Sequence, residues 1–152
     1  MGRYLNIGNA GFAAIRRGLY VDKTAMISFI NRTLGTKDKL TCVSRPRRFG
    51  KSFAAQMLCA YYDKSCDSRK LFSSLNITQD ASYEEHLNRY DVIYLDITEF
   101  TSRAFIKGEL QNIVTDLETR VMDELAAAYP MAGKLIDLPD MLVPWPQESM
   151  QR

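Results

Sequence analysis

The chain has too little cysteine and histidine for a zinc-stapled or disulfide-stapled protein. Its three cysteines, Cys42, Cys59 and Cys66, are odd in number and lack metal-ligand spacing, and His86 is the single histidine. Cys42 falls in a run that reads as a buried strand and Cys59 in the helix after it. Both are therefore expected to act as small apolar side chains in a reducing cytoplasm. No apolar run reaches the length of a membrane-spanning helix, and residues 1–7 lack a signal-peptide core, so a cytoplasmic protein with no membrane partner is expected. Nor is there an excess of charge. Twenty Lys and Arg against 18 Asp and Glu leave +2, too little by itself to argue for nucleic acid as a partner. Repeats and low-complexity tracts are also missing. What remains is 152 residues with 46% hydrophobic and 25% charged side chains, an ordinary globular composition able to bury one core.

The cations that are present are not spread evenly. Arg45, Arg47, Arg48 and Lys51 crowd one stretch, residues 44–52, which reads Ser-Arg-Pro-Arg-Arg-Phe-Gly-Lys-Ser. An apolar run at residues 39–43 leads into it and a helical pattern beginning at Phe53 leads out. Strand, tight loop ending Gly-Lys-Ser, then helix is an arrangement that cradles phosphate groups. Gly50 lets the backbone approach an anion, Lys51 can reach the β- and γ-phosphates of a nucleotide, and Ser52 can offer its hydroxyl to a phosphate-bound Mg²⁺. Arg47 and Arg48 can clamp phosphate oxygens through two N–H groups each. Phe49 is expected to pack the loop against the domain. The common form of this motif has glycine where the chain has Arg45, and Pro46 removes one backbone donor.

Around this loop the pattern alternates. Asp22 reads as the cap of a helix from residue 23 to about 32, with Met26, Ile27 and Ile30 on one face. Residues 39–43 read as a first strand and 92–97 as a second, both suited to burial in a parallel sheet. Phe53, Met57, Leu58 and Tyr61 fall at helical spacing and are expected to face that sheet. Residues 67–75 and 82–87 read as short helical pieces. A long helix is expected over about 105–128, with Ile106, Leu110, Ile113, Leu117, Val121 and Leu125 along one stripe. Two strands make a marginal sheet, so part of that stripe is expected to be covered by self-association or a partner domain.

The blocks Leu-Tyr-Val-Asp-Lys-Thr at 19–24, residues 44–52, Lys-Leu-Phe-Ser-Ser-Leu-Asn-Ile at 70–77 and Asp-Val-Ile-Tyr-Leu-Asp at 91–96 resemble, in order and spacing, the N-terminal portion of the AAA-ATPase-like family. These are P-loop ATPases often fused to a restriction-nuclease-like C-terminal domain. The family carries an arginine-rich loop, so Arg45 and Pro46 suit it. The resemblance implies an α/β fold: a partial P-loop NTPase with a parallel sheet flanked by helices, its C-terminal strands missing. It implies ATP and Mg²⁺ as ligands, with Tyr20 and Asp22 lining the side of the pocket that receives the adenine. The family's Walker B strand, ending in Ile-Asp-Glu-Tyr-Asp or similar, has no counterpart here. Asp96, which closes the apolar run 92–96, imitates the magnesium carboxylate of such a strand, and with Lys51 it is the candidate catalytic pair.

Residues 1–130 are thus expected to be the front part of an ATPase domain and 131–152 an irregular tail containing proline. The expected function is nucleotide binding through residues 44–52, with hydrolysis weak or absent. The alternative is a non-catalytic interaction module whose basic loop contacts nucleic acid or a protein partner.

Overall fold

A computed structural model describes residues 2–131 of the chain. Residues 132–152, which hold most of the proline-containing tail, lie outside the described residues. The chain divides between Leu95 and Asp96 into two compact units.

The first unit is built on aromatic packing. Helix α1 is Ala10–Arg16, α2 is Ala25–Thr33 and α3 is Lys51–Tyr62. Short pieces follow: α4 (Arg69–Phe72), a 3-10 turn (Asn76–Gln79) and α5 (Tyr83–His86). Residues from four helices meet at the centre. Phe12 of α1, Ile27 of α2, Met57 and Tyr61 of α3 and Phe72 of α4 have essentially no exposed surface. Phe12 stacks on Phe72 at 5.1 Å between ring centres, and Tyr61 meets Phe72 edge-on at 5.6 Å. Such ring pairs contribute about 0.5–1.5 kcal/mol beyond the area they bury.

Around Tyr61 the polar groups drawn into this core bond to one another and to the backbone. The Tyr61 hydroxyl donates to the Tyr83 carbonyl at 2.8 Å and accepts from the Asn31 amide at 3.1 Å. Tyr62 donates to the Asn31 carbonyl oxygen at 2.6 Å, so one asparagine joins α2 to the end of α3. Burial pushes the Tyr61 phenol up to about 12. It pushes the Cys59 thiol up to about 11. Buried Cys59 is thus an unreactive thiol packed as an apolar group, as expected. Just past α3, the fully buried Asp63 accepts from the Gly8 and Ser65 amides at 2.6 and 2.8 Å. That clamps the N-terminal segment to the end of the helix.

The expected parallel sheet is not formed. Among the described residues there is no strand, only two isolated bridges, Leu5 with Ile93 and Asp63 with Tyr90. The reason lies in where the backbone groups of the second apolar run go. Val92 O accepts from Asn6 N–H and Tyr94 N–H donates to Tyr4 O, while Tyr90 N–H donates to Tyr62 O. These groups pair with the N-terminal segment and the end of α3, and residues 39–43 receive none of them. Without a neighbour, residues 39–43 run as exposed coil, with Leu40 89% and Val43 43% accessible, and Cys42 is exposed rather than buried. The α/β partial P-loop architecture, with a parallel sheet flanked by helices, is therefore replaced by a helical one. The stripe on α3 packs against α1, and Phe53 stays 53% exposed.

The second unit contains α6 (Ile97–Lys107), a 3-10 turn (Leu110–Asn112) and α7 (Ile113–Ala128). The single helix expected over 105–128 is broken by Gly108, whose φ of +69° ends α6 in the left-handed conformation. Ile106, Leu110 and Val114 are exposed, as only part of the stripe finds cover.

Two outcomes follow for stability. Phe12→Ala should cost about 3–5 kcal/mol, read as a lower urea midpoint with unchanged slope, because the cavity opens between the rings of Tyr20 and Phe72. Asp80 accepts from the hydroxyl groups of Ser28 and Ser82 and from the Ser82 amide, which holds its carboxyl down at about 2. A depressed folded-state pKa stabilises above the unfolded value and ceases to as pH falls through the folded one. Asp80→Asn should therefore be less stable than wild type near neutral pH. The difference should shrink as pH falls from about 4, the ordinary carboxylate value, toward about 2.

Candidate functional site

Residues 44–52 form an exposed loop that ends at the start of α3. Arg48 and Gly50 both have positive φ, +68° and +75°. Gly50 is left-handed and Lys51 opens the right-handed helix, an alternation that turns successive N–H groups toward one point. The first bond of α3 runs from Ala54 N–H to Gly50 O at 3.0 Å. The amides of Lys51, Ser52 and Phe53 therefore precede the hydrogen-bonded ladder, at the positive end of the helix dipole.

The cations follow the same geometry. Lys51 folds back over the loop, its Nζ donating to the carbonyls of Arg45 at 2.5 Å and Pro46 at 3.1 Å. Arg45, Arg47 and Arg48 are exposed, and among the described residues no ion pair or side-chain hydrogen bond engages them. No carboxylate occurs in the sequence between Asp38 and Asp63. This stretch presents positive charge, with no acid of its own to neutralise it.

Tyr20 and Asp22 take different places. Tyr20 lines a cleft of about 360 Å³ beside the loop, together with Leu19, Val21, Phe49 and Phe53. Its ring meets Phe12 edge-on at 5.3 Å, and Arg16 lies over its face at 5.5 Å. Burial raises its phenol pKa, only partly offset by the hydrogen bond from the Lys23 amide. The carboxylate of Asp22 instead accepts from the Thr24 amide and hydroxyl at 2.8 and 2.7 Å and from the Asn76 amide at 2.8 Å. Partial burial would raise its pKa, but the hydrogen bonds from Asn76 and Thr24 outweigh that and hold it below the ordinary value. The helix begins at Ala25, so Asp22 steadies its approach rather than capping it. Phe49, expected to pack inward, is 61% exposed and forms a wall of the cleft.

Asp96 belongs to the second unit. Its carboxylate accepts from the Thr98 amide at 2.9 Å and caps α6. Among the described residues no cluster of three or more His, Cys, Asp or Glu side chains is disposed to hold a metal ion. Ser52, exposed at the start of α3, is the one expected magnesium ligand on the loop itself.

Lys23, in the Leu-Tyr-Val-Asp-Lys-Thr block, carried no expected contact with the loop. In the structure its Nζ donates to the Phe49 carbonyl at 2.8 Å. A second cleft, of about 280 Å³, lies between Lys23, Met26, Val43, Arg45 and Lys51. Lys23, Phe49, Gly50 and Ala54 line both clefts and so separate them. Juxtaposition of the Tyr-Val-Asp-Lys-Thr block with the Gly-Lys-Ser loop was the available signal.

No helix among the described residues is long and apolar enough to cross a membrane. No curated protein and no solved structure matches the chain. One family model does, described as Predicted AAA-ATPase, and it matches residues 6–147. With that match spanning most of its length, and both the arginine-rich loop and the block that contacts it inside the matched region, the chain belongs to the AAA-ATPase-like family.

Proposed function

We propose that residues 44–52 bind the phosphate groups of a nucleotide, ATP accompanied by Mg²⁺. The observation that carries this reading is Lys51, whose ammonium rests on the carbonyls of Arg45 and Pro46 beside the free amides of α3. An ammonium held only by two loop carbonyls exchanges them readily for phosphate oxygens, which are charged acceptors. The amides of Lys51 and Ser52 then meet the same anion, and Arg47 and Arg48 supply further donors from the loop. Arg45 contributes charge from a position where only backbone is otherwise needed. The apolar cleft of Tyr20, Phe49 and Phe53 suits the base, with Asp22 fixing the segment that carries Tyr20.

The donor set suits a cation that arrives on the phosphates. Mg²⁺ keeps several waters and takes few protein ligands, and the Ser52 hydroxyl is a suitable one. When bound, the ion would neutralise charge on the phosphates. Weak or absent hydrolysis follows from the chain's own groups. The Asp96 carboxylate is engaged in capping α6, and no glutamate is assigned to orient a water. Lacking one preorganised group commonly costs on the order of a hundredfold to a thousandfold in rate.

Calorimetric titration with ATP, with and without Mg²⁺, tests the reading. Lys51→Ala should bring binding to background, and Arg45→Ala should weaken it less. Equal affinity in wild type and Lys51→Ala would end the phosphate-loop assignment. Phosphate release by the wild-type chain should stay near that of Lys51→Ala. Strong turnover that vanishes in that variant would instead promote Asp96 to a magnesium ligand.

A further inference from the structure

Lys23 lies 26 residues before its partner Phe49, yet it touches the one glycine on which the loop turns. Its Nζ stands 2.8 Å from the position a Cβ at Gly50 would occupy. Gly50 is thus required twice, once for its φ of +75° and once for the room it leaves the ammonium. Behind Lys23 the segment is pinned at three points. The Lys23 amide lies 3.4 Å from the Tyr20 hydroxyl, Asp22 accepts from the Asn76 amide, and the Thr24 hydroxyl accepts from the Ile77 amide at 3.1 Å. Thr24 is fully buried, so this anchor belongs to the packed core. The loop itself is exposed, and Lys51 is bonded only to carbonyls of the same loop. Of these two lysines, only Lys23 links the loop to the core.

We infer that Lys23 is a positioning residue: its ammonium holds the Phe49 carbonyl and thereby fixes the left-handed turn at Gly50 that aims Lys51 and the α3 amides. Phe49 O points toward Lys23 and so is kept from facing an anion at the start of α3. The role needs an N–H donor at the end of the side chain, and not a contact between Lys23 and the ligand. Its consequence for affinity rests on the nucleotide reading above, but the bracing of the loop does not.

Limited trypsin digestion without nucleotide tests the brace directly, since Arg47 and Arg48 lie in the turn it holds. Fragment masses report cleavage after those two residues in wild type, Lys23→Met and Lys23→Gln, all compared by urea melt. Lys23→Met, which keeps the stem but loses the donor, should speed that cleavage by about tenfold, the scale of one charge-assisted hydrogen bond. Global stability should be nearly unchanged. Lys23→Gln keeps a donor and should recover much of the resistance. Titration with ATP should rank the three proteins in the same order. Unchanged cleavage in Lys23→Met would overturn the inference. Lys23→Gln matching Lys23→Met in both assays would overturn it too, by showing that charge and not donation matters. If cleavage shifts as expected while wild type binds no nucleotide, the brace stands and the nucleotide reading falls. If Lys23→Met fails to fold, resistance in Lys23→Gln equal to wild type supports the brace and cleavage well above wild type rejects it.

Discussion

The unequal burial of α3 governs the rest of the molecule. Its C-terminal half carries Met57, Ala60 and Tyr61, none with measurable exposure, and ends at the buried Asp63. Its N-terminal turn carries Lys51, Ser52 and Phe53, all exposed. A helix held firmly at one end presents the other as a fixed platform. The ring cluster of Phe12, Tyr61 and Phe72 fixes the axis of the helix from the far end, and the turn at Gly50 sets how the loop meets its first amides. Core packing and candidate chemistry thus share one rigid rod without competing for the same residues.

What could be read from the residues alone divides along a physical line. Helical pieces were legible because their signals are local. The stripe Met57, Leu58 and Tyr61 has helical period whatever surrounds it, and α4 and α5 fall within the short helical segments expected. Strands were not legible, because a strand exists only through its neighbour. Residues 39–43 have the composition of a buried strand, but the backbone groups of 90–94 are taken by residues 4–6 and 62–64. Gly108 shows a third case: the apolar stripe continues on both sides of it, and the break is set by one left-handed residue that periodicity does not weigh.

The candidate site was legible where it is contiguous. Gly50, Lys51 and Ser52 announce themselves as three adjacent residues, and the crowding of Arg45, Arg47 and Arg48 is visible by eye. Lys23 was not legible as a loop contact, since its bond to Phe49 joins residues far apart in the sequence that only the fold brings together. Asp22 was assigned to a pocket and found bonded to Thr24 and Asn76. A lone carboxylate near a binding loop attracts a ligand role, whereas counting the donors within reach decides whether it has capacity left. Asp22 has three, and its lowered pKa records the same fact.

The stretch without a carboxylate, from Lys39 to Tyr62, has a thermodynamic consequence of its own. Four cations in the loop and the positive end of α3 repel one another, and no internal counterion relieves them. Whatever anion settles there removes that repulsion, and the unfolded chain keeps the neighbouring cations but not the aligned amides at the start of α3. By mass action a ligand at a hundred times its dissociation constant adds about 2.7 kcal/mol to stability. Measured stability of this chain is therefore a property of the chain and its buffer together: sulfate or phosphate in solution will raise its melting point where an equal ionic strength of chloride does less.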